Sequence, residues 1–272
     1  MQYEHVFHQG GVGRNKTLHG LVYSDTHAFA TFTNFRRDEP NIWKAMEGKD
    51  FVVENGDISE CKNLGFGTTI NDVVNHRIKR MEEQARRFPD TDFHIVLGNH
   101  ERYQAFIDPL TEFCKSHPKF HLHHSFVRIG DSMFVHGDWH ADNDNMLITP
   151  PYKQSEKDPA WRAYLWKGLG CMAITGDAAK IVYPVEKTLN RIHERLMQEC
   201  PEEMQGVKHV FFGHVHYDFD TIERHGIQFH NTGASIKLNN IFNMMTLDIT
   251  PDGRTENITS SLRRAAPKQQ IM

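Results

Sequence analysis

The sequence predicts an α/β protein with a mixed β-sheet, on three observations. Short apolar runs recur along the chain, and the principal ones stop at polar loops that contain chemistry-bearing side chains. Helical spacing fills the intervals between several of them. Toward the C-terminus the runs follow one another too closely for intervening helices, so part of the sheet must be antiparallel.

In chain order, the stretch through Asn15 is glycine-rich and polar and reads as a loose arm. Thr17 to Tyr23 is an apolar run that ends at Ser24-Asp25-Thr26-His27, a buried strand entering a loop. Phe51 to Val53 repeats the pattern before Asn55-Gly56-Asp57, and Phe93 to Leu97 repeats it before Gly98-Asn99-His100-Glu101. Met133 to Val135 leads into His136-Gly137-Asp138, and Val207 to Phe212 leads into Gly213-His214-Val215-His216. From Thr69 onward, Ile70, Val73, Val74, Ile78, Met81 and Ala85 keep helical spacing, with Thr69 and Asp72 placed as a capping box. Residues 101–116 suit a second helix, and Val185, Leu189, Ile192 and Leu196 share one face of a third over 184–199, with Pro184 in its first turn. Segments 218–222, 226–230 and 243–248 read as antiparallel strands, and the tail from Arg263 as mobile.

Residues 139–206 form the long connection, a cap-like insertion that carries Trp139, Trp161 and Trp166. The whole of 1–272 reads as a single domain. A formal charge of −4 gives no general attraction to nucleic acid. No apolar stretch is long enough to span a bilayer, the start lacks a signal-peptide pattern, and Cys61, Cys114, Cys171 and Cys200 are too scattered for a disulfide framework or a C-x-x-C pair. These features place the chain in the cytoplasm.

Nineteen histidines are many for 272 residues, and position must decide which of them act. The predicted strand ends deliver Asp25, His27, Asp57, Asn99, His100, His136, His214 and His216 to loops. Ligands bind beyond the carboxyl ends of strands in α/β sheets, so these loops can converge on one crevice. Carboxylate, imidazole and amide donors together suit manganese, iron or zinc better than calcium or a thiolate-bound structural zinc. Gly56, Gly98, Gly137 and Gly213 stand beside these residues, where the backbone must turn sharply and come close to an ion. A lone histidine is usually structural, and His121, His123 and His124 read as part of a strand with an exposed face rather than as ligands.

The ordered set D-x-H, G-D, G-N-H-E, H and G-H-x-H over residues 25–216 resembles the calcineurin-like metallophosphoesterase superfamily. The resemblance implies a mixed β-sheet sandwich flanked by helices and a hydrolase with a dinuclear metal centre. Two divalent ions are implied, manganese first, with iron, zinc, nickel and magnesium as the other candidates. Asp25, His27 and His216 would hold one ion, Asn99, His136 and His214 the other, and Asp57 would bridge them. Two dications roughly 3.5–4 Å apart repel, and a shared anion offsets the repulsion. A water acidified between them would be the nucleophile. His100 would serve the leaving-group oxygen as general acid, with Glu101 orienting its ring.

The substrate class implied is a small phosphomonoester, a nucleotide or a phosphodiester. The segment Gly56-Asp57-Ile58-Ser59-Glu60-Cys61 lacks the arginine that phosphoprotein phosphatases of the superfamily carry there, which argues against a protein substrate. His100 stands where the lipid A pathway pyrophosphatases have arginine. Two alternatives stay open: a nuclease for single-stranded ends, fed by the basic residues Arg36 and Arg37 after the first ligand pair and Arg77, Lys79, Arg80, Arg86 and Arg87 on one helix, or a metal-bound scaffold without turnover. Trp161, Tyr164 and Trp166 within the insertion read either as an amphipathic helix face that docks the insertion onto the sheet or as substrate-specificity residues, and His140 is a candidate for substrate contact. Cys114 and Cys171 carry no activating neighbour in sequence and read as core residues.

Overall fold

A computed structural model describes residues 15–30, 33–62, 64, 67–138, 184–216, 221–235 and 242–261. The arm before residue 15, most of the insertion with its three tryptophans, His140, Cys171 and the tail from 262 lie outside these residues.

Two sheets face each other. The first has the order β11-β10-β1-β2-β3-β4, from β1 (Leu18–Tyr23), β2 (Phe51–Asn55), β3 (Asp92–Val96), β4 (Phe120–His123), β10 (Met245–Ile249) and β11 (Thr255–Ser260). The second has the order β5-β6-β7-β9-β8, from β5 (Phe126–Ile129), β6 (Ser132–Val135), β7 (His209–Phe212), β8 (Ile222–Arg224) and β9 (Ile227–Asn231). β1, β2, β3 and β4 run parallel, as do β6, β7 and β9, while β10, β11, β5 and β8 pair antiparallel. The parallel strands thus release their C-terminal loops at one end of the sandwich.

Period-two alternation builds the layers. Val22, Phe51, Val53 and Val96 meet Val127, Phe134 and Phe211 between the sheets. Leu21, Tyr23, Val52, Phe93 and Ile95 face the other way, against α1 (Phe35–Ala45), α2 (Ile70–Arg87) and α3 (Gln104–Ser116). On the far side Met133, Val135, Val210 and Phe212 take Leu189, Ile192 and Leu196 of α4 (Val185–Glu199). Each fully buried aliphatic or aromatic side chain contributes about 1.5–3 kcal/mol to this arrangement.

The capping box of α2 is present: Thr69 Oγ1 accepts from the Asp72 N–H at 3.2 Å, and Asp72 accepts from the Thr69 N–H at 2.8 Å. Pro184 sits one residue earlier than expected, at the N-cap of α4. α1 went unrecognised in the sequence because Pro40 interrupts its pattern. β5 and β11 are the other elements that periodicity did not mark. β4 forms where a strand was expected, and its outward face is only partly solvated, at His121. His123 is buried, and its Nε2 lies 3.1 Å from Nδ1 of the fully buried His94 on β3.

A buried polar group anchors α2 to the sheet. Glu54 of β2 receives Arg77 and Tyr23 Oη, and Gln84 Nε2 donates to it at 2.9 Å. Against the upward push of burial, the Arg77 and Arg80 guanidinium groups bring the Glu54 carboxyl down to about 2. At the opposite face of β2, Asn55 Nδ2 donates to Val135 O at 2.9 Å and Phe211 O at 3.1 Å. That amide ties the two sheets together directly beneath the converging loops.

Candidate metal centre

Loops from β1, β2 and β3 of one sheet meet loops from β6 and β7 of the other. The β1 and β2 loops continue to pair beyond their strands: Asp25 N–H donates to Gly56 O and His27 N–H to Asp57 O, both at 2.9 Å. Asp25, His27, Asp57 and His214 adopt positive φ of 51°, 44°, 53° and 63°. Non-glycine residues in this region cost about 1–3 kcal/mol each and persist only where surrounding contacts hold them.

The carboxylates are divided in the same way. Asp25 Oδ2 accepts the His214 N–H at 2.9 Å, leaving Oδ1 facing His216 Nε2 at 3.2 Å and His27 Nε2 at 3.8 Å. Asp57 Oδ1 accepts the His100 N–H at 2.9 Å, leaving Oδ2 at 3.1 Å from His136 Nε2 and 4.0 Å from His27 Nε2. Each carboxylate therefore binds an opposing loop through one oxygen and presents the other inward. His136 Nδ1 lies 3.1 Å from Asn55 O and His27 Nδ1 lies 3.3 Å from Glu60 Oε2, so each ring can donate there and turn its Nε2 lone pair inward. Asn99 Oδ1 completes the far side, 3.3 Å from His136 Nε2 and 3.1 Å from His214 Nδ1.

Among the described residues, three groups could each hold an ion: Asp25, His27 and His216; Asp57, His136 and His214; and His27, Asp57 and His100. Hard oxygens and imidazole nitrogens within 4.8 Å of one another fit a divalent first-row cation. Asn99, His100 and His214 are half-buried while Asp25, His27, Asp57 and His136 are buried, so the centre opens on the Asn99 side.

The acids and bases of the centre perturb one another. Burial alone would lower His27 and His136. The carboxylates of Glu60, Asp57 and Asp25 raise His27 to about 9, and those of Asp57 and Asp25 raise His136 to about 10. Against burial, His136 and His100 hold Asp57 well below the usual carboxylate range.

The structure parts from the sequence reading at Glu101. Its carboxylate does not meet His100. It accepts the backbone N–H groups of Asp57 at 3.0 Å, Ser59 at 2.8 Å and Gly98 at 3.1 Å, bracing the two loops. The carboxylate on His100 is Glu60, with both oxygens at 2.7 and 2.8 Å from Nδ1. Glu60 lies three residues after Asp57, and that spacing was the only signal available for it. The glycine argument also changes. A Cβ on Gly98 would collide with the Asp57 carboxylate and one on Gly213 with that of Asp25, so these glycines make room for ligand side chains. Asp138 is occupied by Arg102, Nη1 to Oδ2 at 2.7 Å. Burial pushes the Cys114 thiol up to about 11, which leaves it a poor nucleophile.

The family model for calcineurin-like phosphoesterases matches residues 20–218, which include every residue named in the centre. The chain belongs to the calcineurin-like phosphoesterases. Its sandwich of mixed sheets flanked by helices is the fold of this family. Membership carries metal-dependent phosphoester hydrolysis and implies a dinuclear divalent centre. No curated protein matches the chain in a sequence comparison. Among solved structures, a dimetal phosphatase from Danio rerio aligns at 13% identity and a TM-score of 0.45, covering 91% of this phosphoesterase and 96% of the other chain. Among the described residues of the phosphoesterase, no helix is long and apolar enough to cross a membrane.

Proposed function

We propose that this phosphoesterase hydrolyses a small phosphomonoester, a nucleotide or a phosphodiester at a two-ion centre. Asp25, His27 and His216 would hold one ion and Asn99, His136 and His214 the other, with Asp57 serving both. The observation that supports this most directly is Asp57 Oδ2, which stands within 3.1 Å of His136 and 4.0 Å of His27, one from each group of donors. Bound divalent cations, manganese first, would supply Lewis-acid charge and an acidified water. His100 acts on the leaving group. Glu60 on its Nδ1 fixes the ring and leaves Nε2, 3.9 Å from Asp57 Oδ2, at the open side of the centre to pass a proton to the departing oxygen. Glu101 keeps the Asp57 and Gly98 loops in register and does not touch the reacting atoms.

We read the chain as one domain over 1–272; within the 139–206 insertion, α4 (Val185–Glu199) packs on the outer face of the second sheet and so belongs to the core, while 139–183 lie outside the described residues. Free Cys61, Cys114 and Cys200 suit a reducing cytoplasm. Much of the basic run that a nuclease would use is already engaged: Arg77 on Glu54, Arg80 on Glu39 and Arg86 on Glu83.

The decisive experiment is Asp57→Asn. Metal analysis and turnover of nitrophenyl phosphate are measured together, with both expected to collapse. Two ions per chain with activity near that of the unaltered protein would overturn the assignment.

A further inference from the structure

A pocket of about 580 Å³ lies between the metal-bearing β1 loop, the start of α1 and the first half of α2. Phe29, Thr33, Phe35, Arg36, Arg37 and His76 wall it, a size and a mixture typical of small-ligand sites. Ala28, which also lines the pocket, is the residue directly after His27, and consecutive Cα atoms are only about 3.8 Å apart. The pocket therefore begins one residue from the centre. Backbone bonds hold this shared wall in place, Ala28 N–H to Ile58 O and Ala30 N–H to His27 O, both at 2.9 Å.

The charges inside the pocket are unequal. Arg37 Nε lies 2.9 Å from Asp38 Oδ1, and Glu39 is taken by Arg80. Arg36, exposed at the start of α1, has no acidic partner among the described residues. An unneutralised guanidinium beside a phosphoester site favours an anion. The remaining walls are flat. Phe29 is held at φ 79°, outside the usual range for an aromatic residue, and its ring meets His76 edge-on at 4.9 Å. Phe35 meets the same imidazole at 6.1 Å and 81°. Burial lowers His76, Glu39 opposes this and the nearby arginines add to the lowering; its ring offers a face or a hydrogen bond.

We propose that this pocket receives the leaving group and selects one that is planar and carries its own negative charge, a nucleoside monophosphate being the simplest member. Arg36 is then a specificity-determining residue. The inference rests on the hydrolysis proposed above and adds the chemistry of the departing alcohol. In the reaction, water adds to phosphorus, the bond from phosphorus to the nucleoside oxygen breaks, and that oxygen leaves protonated. The products are inorganic phosphate and the nucleoside monophosphate.

The test compares adenosine 3′,5′-bisphosphate with adenosine 5′-monophosphate on the metal-loaded full chain, and repeats the pair with uridine. The first of each pair yields a charged leaving group and the second a neutral nucleoside. The unaltered protein should favour the bisphosphate by tenfold or more in kcat/KM, and Arg36→Ala should cut that ratio about tenfold. An Arg36→Ala ratio equal to that of the unaltered protein, or no preference to begin with, would overturn the inference. Calorimetric binding of adenosine 5′-monophosphate to the metal-stripped protein separates the two readings. Where neither substrate is turned over, binding that weakens about tenfold in Arg36→Ala still supports the pocket. Binding without any turnover overturns the hydrolytic reading alone. Turnover with neither binding nor preference overturns the pocket alone.

Discussion

Glu60→Gln tests the arrangement around His100 most sharply. The glutamate places both oxygens within 2.8 Å of His100 Nδ1, reaches His27 Nδ1 at 3.3 Å and accepts the Lys62 N–H at 2.9 Å. Glutamine keeps the volume and one acceptor oxygen but removes the charge. Hydrogen bonds to charged groups contribute about 1.5–3 kcal/mol and neutral ones about 0.5–1.5, so the change weakens the His100 contact by about 1–2 kcal/mol. If that contact acts in the transition state, kcat falls about 5–30-fold under saturating manganese. The His27 contact adds a separate effect, a loss of about 10–100-fold in metal affinity, typical when the partner of a metal-ligating histidine is removed. Steady-state rates at saturating metal isolate the first effect, and metal titration measures the second. The control is a cycle with His100→Asn. Once His100 is gone, Glu60→Gln should cost little further at saturating metal. If the double variant instead multiplies the two single losses, Glu60 does not work through His100 and the reasoning fails.

Arg77→Met leaves the buried Glu54 carboxylate without its main partner, a loss of about 3–5 kcal/mol. With about 2–4 °C per kcal/mol for a chain of this size, the melting temperature should drop roughly 6–20 °C while metal content is retained. Gly98→Ala places a methyl group against the Asp57 carboxylate, and metal analysis should show weakened loading before thermal melting shows a comparable change. The metal-free protein should respond to pH in a defined direction. His27 and His136 are raised to about 9 and about 10, above the usual value of 6.5, so their contribution to stability is complete below pH 6.5 and is lost as pH rises through 9 to 10. Metal binding must displace those protons, so apparent affinity should rise with pH over the same window; flat affinity between pH 6.5 and 9 would contradict the assigned partners.

The order of strand ends and the residue types at each end were legible in the sequence, because apolar periodicity and ligand identity are local properties of the chain. Asp25 with His27 and His214 with His216 each lie two positions apart on one loop, and such spacing survives in a linear reading. Partnership across loops does not survive it. Glu101 follows His100 in the chain, yet its carboxylate turns back to three backbone N–H groups while Glu60, from a different loop, takes the ring. In the sequence Asn55 is only a polar residue after an apolar run, and it takes the second sheet to bring the Val135 and Phe211 carbonyls to its amide. Pro40 masked α1, and with it the wall that puts Arg36 on the pocket that Ala28 also lines. Donor chemistry is written residue by residue, but the direction each side chain takes depends on groups distant in sequence, which only the packed sandwich brings within hydrogen-bonding reach.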